Sequence, residues 1–593
     1  MSEKTIRIGG ASGAWGDSPL ALPQLLDAGV DYLMMDYLAE VSMSLLARAR
    51  LKDPDGGFPP DAIQYLAAVL PEITAKGVKI ASNAGGVNPA GAKRALEAII
   101  KAQGLSLKVA IVEGDDVLPM LPALREQNIR EAVSGEPIPA RLLTANAYLG
   151  ALPIKAAFDA GADIVLTGRC ADSALALGIL MHEFAWSATD YDHLAAGSLV
   201  GHILECGPQA TGGNFTDWQT VPDWHNIGYP IATCRADGTF GLTKPPHTGG
   251  LITPPTVAEQ TLYEIADPAA YFLPDVVADF SHVTITQAGD NAVEVSGAKG
   301  RPPTTQYKVS ATYQAGYRSV ATVSIVGPDA AAKAERTGRT LIDRAEMIFA
   351  RENIPPFDST HIEALGAEAS YGPKSQARAS REVLLRLVVV HQRRDALEIF
   401  GRELGSIGLS CAPGTTGIYS GRPKPTPVVR LFTMFLDKSA FPAPRLTLGD
   451  AAPVEIPVPL NGGYEAPHPS GEHHASLPAF APGETEERPL ITLAYGRSGD
   501  KGNSSNIAIF ARKPEYLPYL REILTPEKIL AQLDQLVTGP AERFDTPGLH
   551  ALNFLIQNAL GGGGMASLRI DPQGKAYAQM VLEMPIPIPK AWL

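Results

Sequence analysis

Two runs of small and functional residues stand out. In the first, the apolar run Asp163-Ile164-Val165-Leu166 opens into Thr167-Gly168-Arg169-Cys170-Ala171-Asp172-Ser173. A strand ending in Gly-Arg and turning into a helix that begins at Asp172-Ser173 would place a fixed cation, free backbone N–H groups and a cap at one point. Arg169 is suited to hold a carboxylate or phosphate while Asp172 caps the helix or orients the cation; a structural ion pair is the plainer alternative. The second run, Gly201 to Phe215, sets Glu205 beside Cys206 in what reads as a glycine-rich loop. Proton transfer on a thioester or β-hydroxy acyl group needs a carboxylate within hydrogen-bond reach, which makes Glu205 a candidate acid or base. Cys206 is either a nucleophile or a small core hydrophobe. Gln209, Thr211 and Asn214 offer neutral donors to an acyl carbonyl or oxyanion, or to their own loop. His247, between prolines and glycines in Pro245-Pro246-His247-Thr248-Gly249-Gly250, is a second candidate acid or base.

The elements that must position these residues read as an α/β domain with a parallel sheet flanked by helices. Strands are expected near Thr5–Ile8, Val30–Met35, Val78–Ala81, Leu107–Val112 and Asp163–Leu166, alternating with amphipathic helices. One helix is fully punctuated, with Asn88 as N-cap, Pro89 in the first turn and Gly104 past its end. In a parallel sheet the carboxyl ends share one edge, so polar residues from distant segments converge there. Ser12 with Gly10 and Gly13, and Asn83 with Gly85 and Gly86, look like backbone cradles for an anion. Asp36, Glu40, Glu113, Asp115 and Asp116 would bind a divalent cation only if they converge, which spacing does not force; no metal is expected. The glycines at 9, 10, 13 and 16 miss the GxGxxG spacing and no Walker loop is present, which leaves no motif for a nicotinamide or flavin.

From Trp186 to Asp279 the chain reads as irregular and loop-rich, apart from a helix that puts Gln260 and Glu264 on one face. Strand-like periodicity from Phe280 and a helix over 330–350 predict a second, α+β domain. The expected division is 1–279, 280–461, a linker at 462–488, and a C-terminal α+β domain of ferredoxin-like type at 489–593. The linker holds His468, His473 and His474 without acidic or thiol ligands at zinc-finger spacing. In the last domain a strand ends at Gly496-Arg497-Ser498-Gly499-Asp500-Lys501-Gly502-Asn503. That loop would let Arg497 and Lys501 reach an anion or pin the domain across an interface.

With 593 residues, 45% of them hydrophobic and 19% charged, the chain has ample core for several domains. The net charge of −13 argues against nucleic acid and anionic membranes as partners. The four cysteines, Cys170, Cys206, Cys234 and Cys411, show no CxxC spacing, as expected of reduced thiols in a cytoplasm. Neither a signal peptide nor an apolar run of membrane-spanning length is seen, so a cytoplasmic protein is expected.

Taken together, Thr167 to Ser173, Gly201 to Phe215, Thr248 to Leu251, Tyr271 to Phe280, Asp36-Tyr37-Leu38-Ala39-Glu40 and Arg497 to Asn506 resemble the acyclic terpene utilisation family, the AtuA-like proteins, over nearly the whole chain. The resemblance implies a ferredoxin-fold C-terminal domain and a place in a catabolism that runs on branched acyl-CoA thioesters. It carries no catalytic residues over. The reading is a homo-oligomeric enzyme acting on an acyl-CoA by acid/base chemistry, a lyase or hydratase, with no cofactor beyond the coenzyme A of its substrate. Glu205 or His247 would be acid/base, Arg169 an anion anchor, and Gln209 and Asn214 carbonyl polarisers. The alternatives are a hydrolase using Cys206 or an activated water, and a non-catalytic assembly or carrier protein.

Overall fold

The computed structural model describes residues 4–418, 420–465 and 483–593; His468, His473 and His474 lie outside the described residues. Five strands, β1 (Thr5–Ser12), β2 (Tyr32–Met35), β3 (Lys79–Ser82), β4 (Val109–Glu113) and β6 (Ile164–Thr167), form a parallel core in the order β1-β2-β3-β6-β4. Side chains alternate into two hydrophobic layers: Tyr32 and Met34 face one, Leu33 and Met35 the other. Burial on both faces is why these strands read as continuous apolar runs. The helix Pro89–Ala102 begins as expected, with Asn88 Oδ1 accepting from Gly91 N at 3.1 Å.

The sheet continues past its parallel core. Antiparallel strands β7 (Ile231–Arg235) and β8 (Phe240–Thr243) extend the β1 edge, followed by Ala292–Ser296 and Thr284–Gly289; Arg445–Leu448 extends the β4 edge. The division expected at residue 279 is thus crossed by hydrogen-bonded strands. Conversely, β5 (Thr144–Ala147) leaves the first sheet and pairs with the 21-residue strand Gln306–Val326, the spine of a second sheet. Helices Ala330–Arg351 and Arg394–Glu403 cover that sheet.

Several local expectations change. Residues 201–205 are not loop: they end the helix Tyr191–Glu205, which is buried on nearly every side and so lacks an amphipathic stripe. Gly201 sits inside that helix because a Cβ there would lie 2.5 Å from Ser173 Cα. The next helix after β6 starts at Ala174, and neither Asp172 nor Ser173 caps it through a side chain. The helix carrying Gln260 stops at Thr261, leaving Glu264 at φ 59° beyond it. Residues 494–501 form a strand rather than a loop, hairpinned to Ser504–Ala511 through a turn at Gly502, φ 65°. With Ala551–Ile556 and Ala541–Thr546 they make a four-stranded antiparallel sheet. The end of the expected linker, with Pro489 after it, pairs as Thr485–Pro489 with Pro585–Pro589. Among the described residues, no helix is long and apolar enough to cross a membrane.

Candidate active site

The strand exits converge as the topology requires. Asp36, just beyond β2, accepts from Asn83 Nδ2 at 2.6 Å and from Leu38 N at 3.2 Å, while Asn83 Oδ1 accepts from Tyr37 N at 2.8 Å. Asp172, beyond β6, and Glu205, at the end of its helix, come to the same point: one carboxylate oxygen from each of Asp36, Asp172 and Glu205 lies within 4.8 Å of the others. Asp36 is 7% and Glu205 8% exposed.

Arg169 provides the nearest positive charge. Its Nη1 donates to Asp172 Oδ1 at 2.5 Å and to Cys170 O at 3.2 Å, and its guanidinium lies 4.3 Å from the centre of the Tyr148 ring. The backbone places it: Arg169 N donates to Asp115 Oδ2 at 2.9 Å, and Asn146 Nδ2 donates to the same oxygen at 2.8 Å. Gly168 is required here because any Cβ would collide with the Asp115 carboxylate. Burial pushes Asp115 up to about 6 despite those hydrogen bonds. Lys308 Nζ lies 4.7 Å from the Tyr148 ring, and the Tyr148 hydroxyl donates to Glu40. Burial opposes ionisation of Glu40, but Lys308, Arg169 and that hydroxyl outweigh it and bring its pKa down to about 2.

The carboxylate trio behaves differently. Burial, reinforced by the charge of Asp172, holds both Asp36 and Glu205 above the usual carboxylate range. His202 Nδ1 stands 3.1 Å from Glu205 Oε1. Burial and the nearby Glu205 and Glu264 raise the Cys206 thiol well above its usual value, so it stays protonated and is a poor nucleophile.

The far wall comes from the C-terminal module. Lys501, at the end of its strand, is reached by solvent and sets Nζ 5.5 Å from the Tyr271 ring. The surrounding protein and the like charge of Lys308 lower its pKa, with Glu264, Glu205 and Asp172 opposing. Tyr271 also faces His202, ring centres 5.8 Å apart.

Of the residues singled out from sequence, the structure brings Arg169, Asp172, Glu205, Cys206, Lys501 and, through Asp36, Asn83 to this pocket. His247 is exposed, and among the described residues no hydrogen bond or ion pair involves its ring; its carbonyl accepts from Asn226. Ser12 Oγ donates to backbone carbonyls of Asp36 and Ala14. Gly10 and Gly13 make no open cradle, because α-carbon hydrogens there face the backbone of Leu204 and Cys206; Gly85 and Gly86 pack likewise on the carbonyls of Thr167 and Gly57. Thr211 Oγ1 donates to Gly228 O at 2.6 Å. Gln209 and Asn214 are engaged by Arg497, which donates to Gln209 Oε1 and to Asn214 O at 3.1 Å and stacks 4.7 Å from the Tyr263 ring. Those three belong to the seam between modules. Asp116 caps the turn at Leu118, and Glu113 stays in β4. The roles of Tyr148, His202, Tyr271 and Lys308 were not legible: Tyr148 and Lys308 lie just past or within ordinary strand patterns, His202 sat in a run read as loop and Tyr271 in a motif of no stated role, and only folding turns each toward the pocket.

A protein-family model described as acyclic terpene utilisation family protein AtuA matches residues 6–444, and one described as the AtuA ferredoxin-like domain matches residues 488–587. No curated protein and no solved structure matches the chain.

Proposed function

The chain belongs to the acyclic terpene utilisation family, and from that membership and the pocket we propose that it is a lyase or hydratase acting on a branched acyl thioester by proton transfer. The observation that carries this reading is Lys501: an amine from the C-terminal module, set against the Tyr271 ring, whose pKa is lowered and which feels the charges of Glu205 and Asp172. A depressed pKa raises the share of free amine at a given pH, which is what a base requires. In this reading Lys501 takes the proton α to the thioester carbonyl. The enolate charge develops toward Arg169 and Lys308, which flank the Tyr148 ring and supply preorganised positive potential. In dehydration the β-hydroxyl leaves as water with a proton from the acidic side formed by Asp36, Asp172 and Glu205, and in hydration that side takes the proton from the attacking water. Glu205 therefore keeps its place in the chemistry, and Lys501 takes the place that sequence offered to His247. A thioester hydrolase using Cys206 is disfavoured by its protonated thiol.

The test is calorimetric titration with short branched 2-enoyl- and 3-hydroxyacyl-CoA thioesters, followed by NMR of α-deuterium incorporation in D2O. Binding with exchange is expected. If no thioester binds at millimolar concentration, the enzymatic reading fails and an assembly or carrier role takes its place.

A further inference from the structure

The Asp36, Asp172 and Glu205 carboxylates come from three separated segments yet turn toward one point, each offering an oxygen within 4.8 Å of the others. Arg169 neutralises one of them, through Asp172 Oδ1. Glu40, the next carboxylate around the wall, is already matched by Lys308 and Tyr148. Among the described residues, Asp36 and Glu205 are thus left with no lysine or arginine at ion-pairing distance, and a divalent ion in place of their protons would pair with both.

A second observation points the same way. His202 is 1% exposed and faces Glu205, with Nδ1 3.1 Å from Oε1 but out of hydrogen-bonding alignment; neither ring nitrogen has a hydrogen-bond partner. An imidazole so placed wants a donor or acceptor that the protein does not provide, and a water ligand on an ion held by Glu205 would provide one. Its backbone is not free to turn away, since His202 O accepts from Gln260 Nε2 at 3.2 Å.

We propose that Asp36, Asp172 and Glu205 bind one hard divalent cation, of the Mg2+ or Mn2+ type, with His202 beside it as a positioning residue. The donor set is all oxygen, which selects such ions over zinc or copper. Asn83 fixes Asp36 from behind, and Arg169 fixes Asp172, so two of the three ligands are already oriented. That the ion also meets the oxygen of an acyl substrate rests on the function proposed above; ion binding itself does not.

The experiment uses the full chain stripped with chelator and titrated with Mn2+ alone, free ion being followed by electron paramagnetic resonance. One saturable site per chain is expected. Asp36→Asn and Glu205→Gln should each weaken it about tenfold or more, and His202→Ala by about tenfold while circular dichroism is unchanged. Asp116→Asn, a strand-end acid outside the trio, should leave it unaltered. If a trio variant misfolds, competition of Mg2+ against Mn2+ and the ion-induced rise in wild-type Tm still report the site. Absence of saturable binding to the folded wild type, or affinity that Asp36→Asn and Glu205→Gln leave intact, overturns the proposal. Thioester exchange that persists in excess chelator overturns the ion's part while leaving the proton-transfer reading standing. Ion binding without thioester binding does the reverse.

Discussion

The pocket and the seam between the modules bury polar groups at similar depth, and they treat them in opposite ways. At the seam, Asn506 Nδ2 donates to Leu262 O at 2.8 Å, its Oδ1 accepts from Glu264 N at 3.0 Å, and Asn553 Nδ2 donates to Ile265 O and Ala266 O at 2.9 and 2.7 Å. Thr216 both donates to and accepts from Gly496, and Arg512 forms a two-pronged pair with Asp217 at 2.6 and 2.7 Å. These partners are complete, and complete pairing is what a fixed contact needs. In the pocket, one arginine pairs with one of three carboxylates, and the His202 ring stands beside Glu205 without an aligned hydrogen bond. Completed polar groups hold the modules together; incomplete ones mark where another species belongs.

The comparison breaks first at Lys501. Lys501→Met should slow α-deuterium exchange by about a hundredfold or more with little change in Tm, while His247→Ala stays within about twofold of wild type. Equal losses in both variants would show that the pocket is misplaced. Next comes the seam. Asn506→Ala leaves a buried carbonyl and a buried N–H without partners and should cost about 3 kcal/mol in urea unfolding; a loss below about 0.5 kcal/mol would mean that the seam does not depend on these bonds.

The last test concerns a seam group that resembles the pocket. Glu259 accepts from Thr216 through Oε1, but its Oε2 has no partner, and burial pushes its pKa up to about 8. The folded protein then holds a proton that the unfolded chain, near the usual carboxylate value, has released. Stability therefore falls as pH rises between roughly 4.5 and 8, by about 1.4 kcal/mol per pH unit for this group. Glu259→Gln should remove that slope in denaturation curves taken at several pH values, and an unchanged slope would assign it to other groups.

The parallel sheet was legible because its strands are short apolar runs that end in glycine and acid, and the edge where a site forms follows from that topology alone. Asn88, Pro89 and Gly104 marked a helix that forms as read. Arg169, Asp172 and Glu205 were legible as residue types at strand or helix ends. The helix carrying Glu205 was not, since full burial erases the polar face that a pattern needs and Gly201 imitates a loop. Nor were the roles of Gln209, Asn214 and Arg497, whose polar types suit a substrate and a domain seam equally well.

The sequence by itself determined the family, the sheet and the edge where chemistry gathers, because these depend on local pattern and on strand direction. Only the tertiary structure decided which polar groups were used up and which were left over. That depends on partners far apart along the chain: Asp36 with Glu205, Tyr148 with Lys308, Glu264 with Asn506. Pairing in three dimensions separates a binding group from a structural one, and nothing in the spacing of residues carries that information.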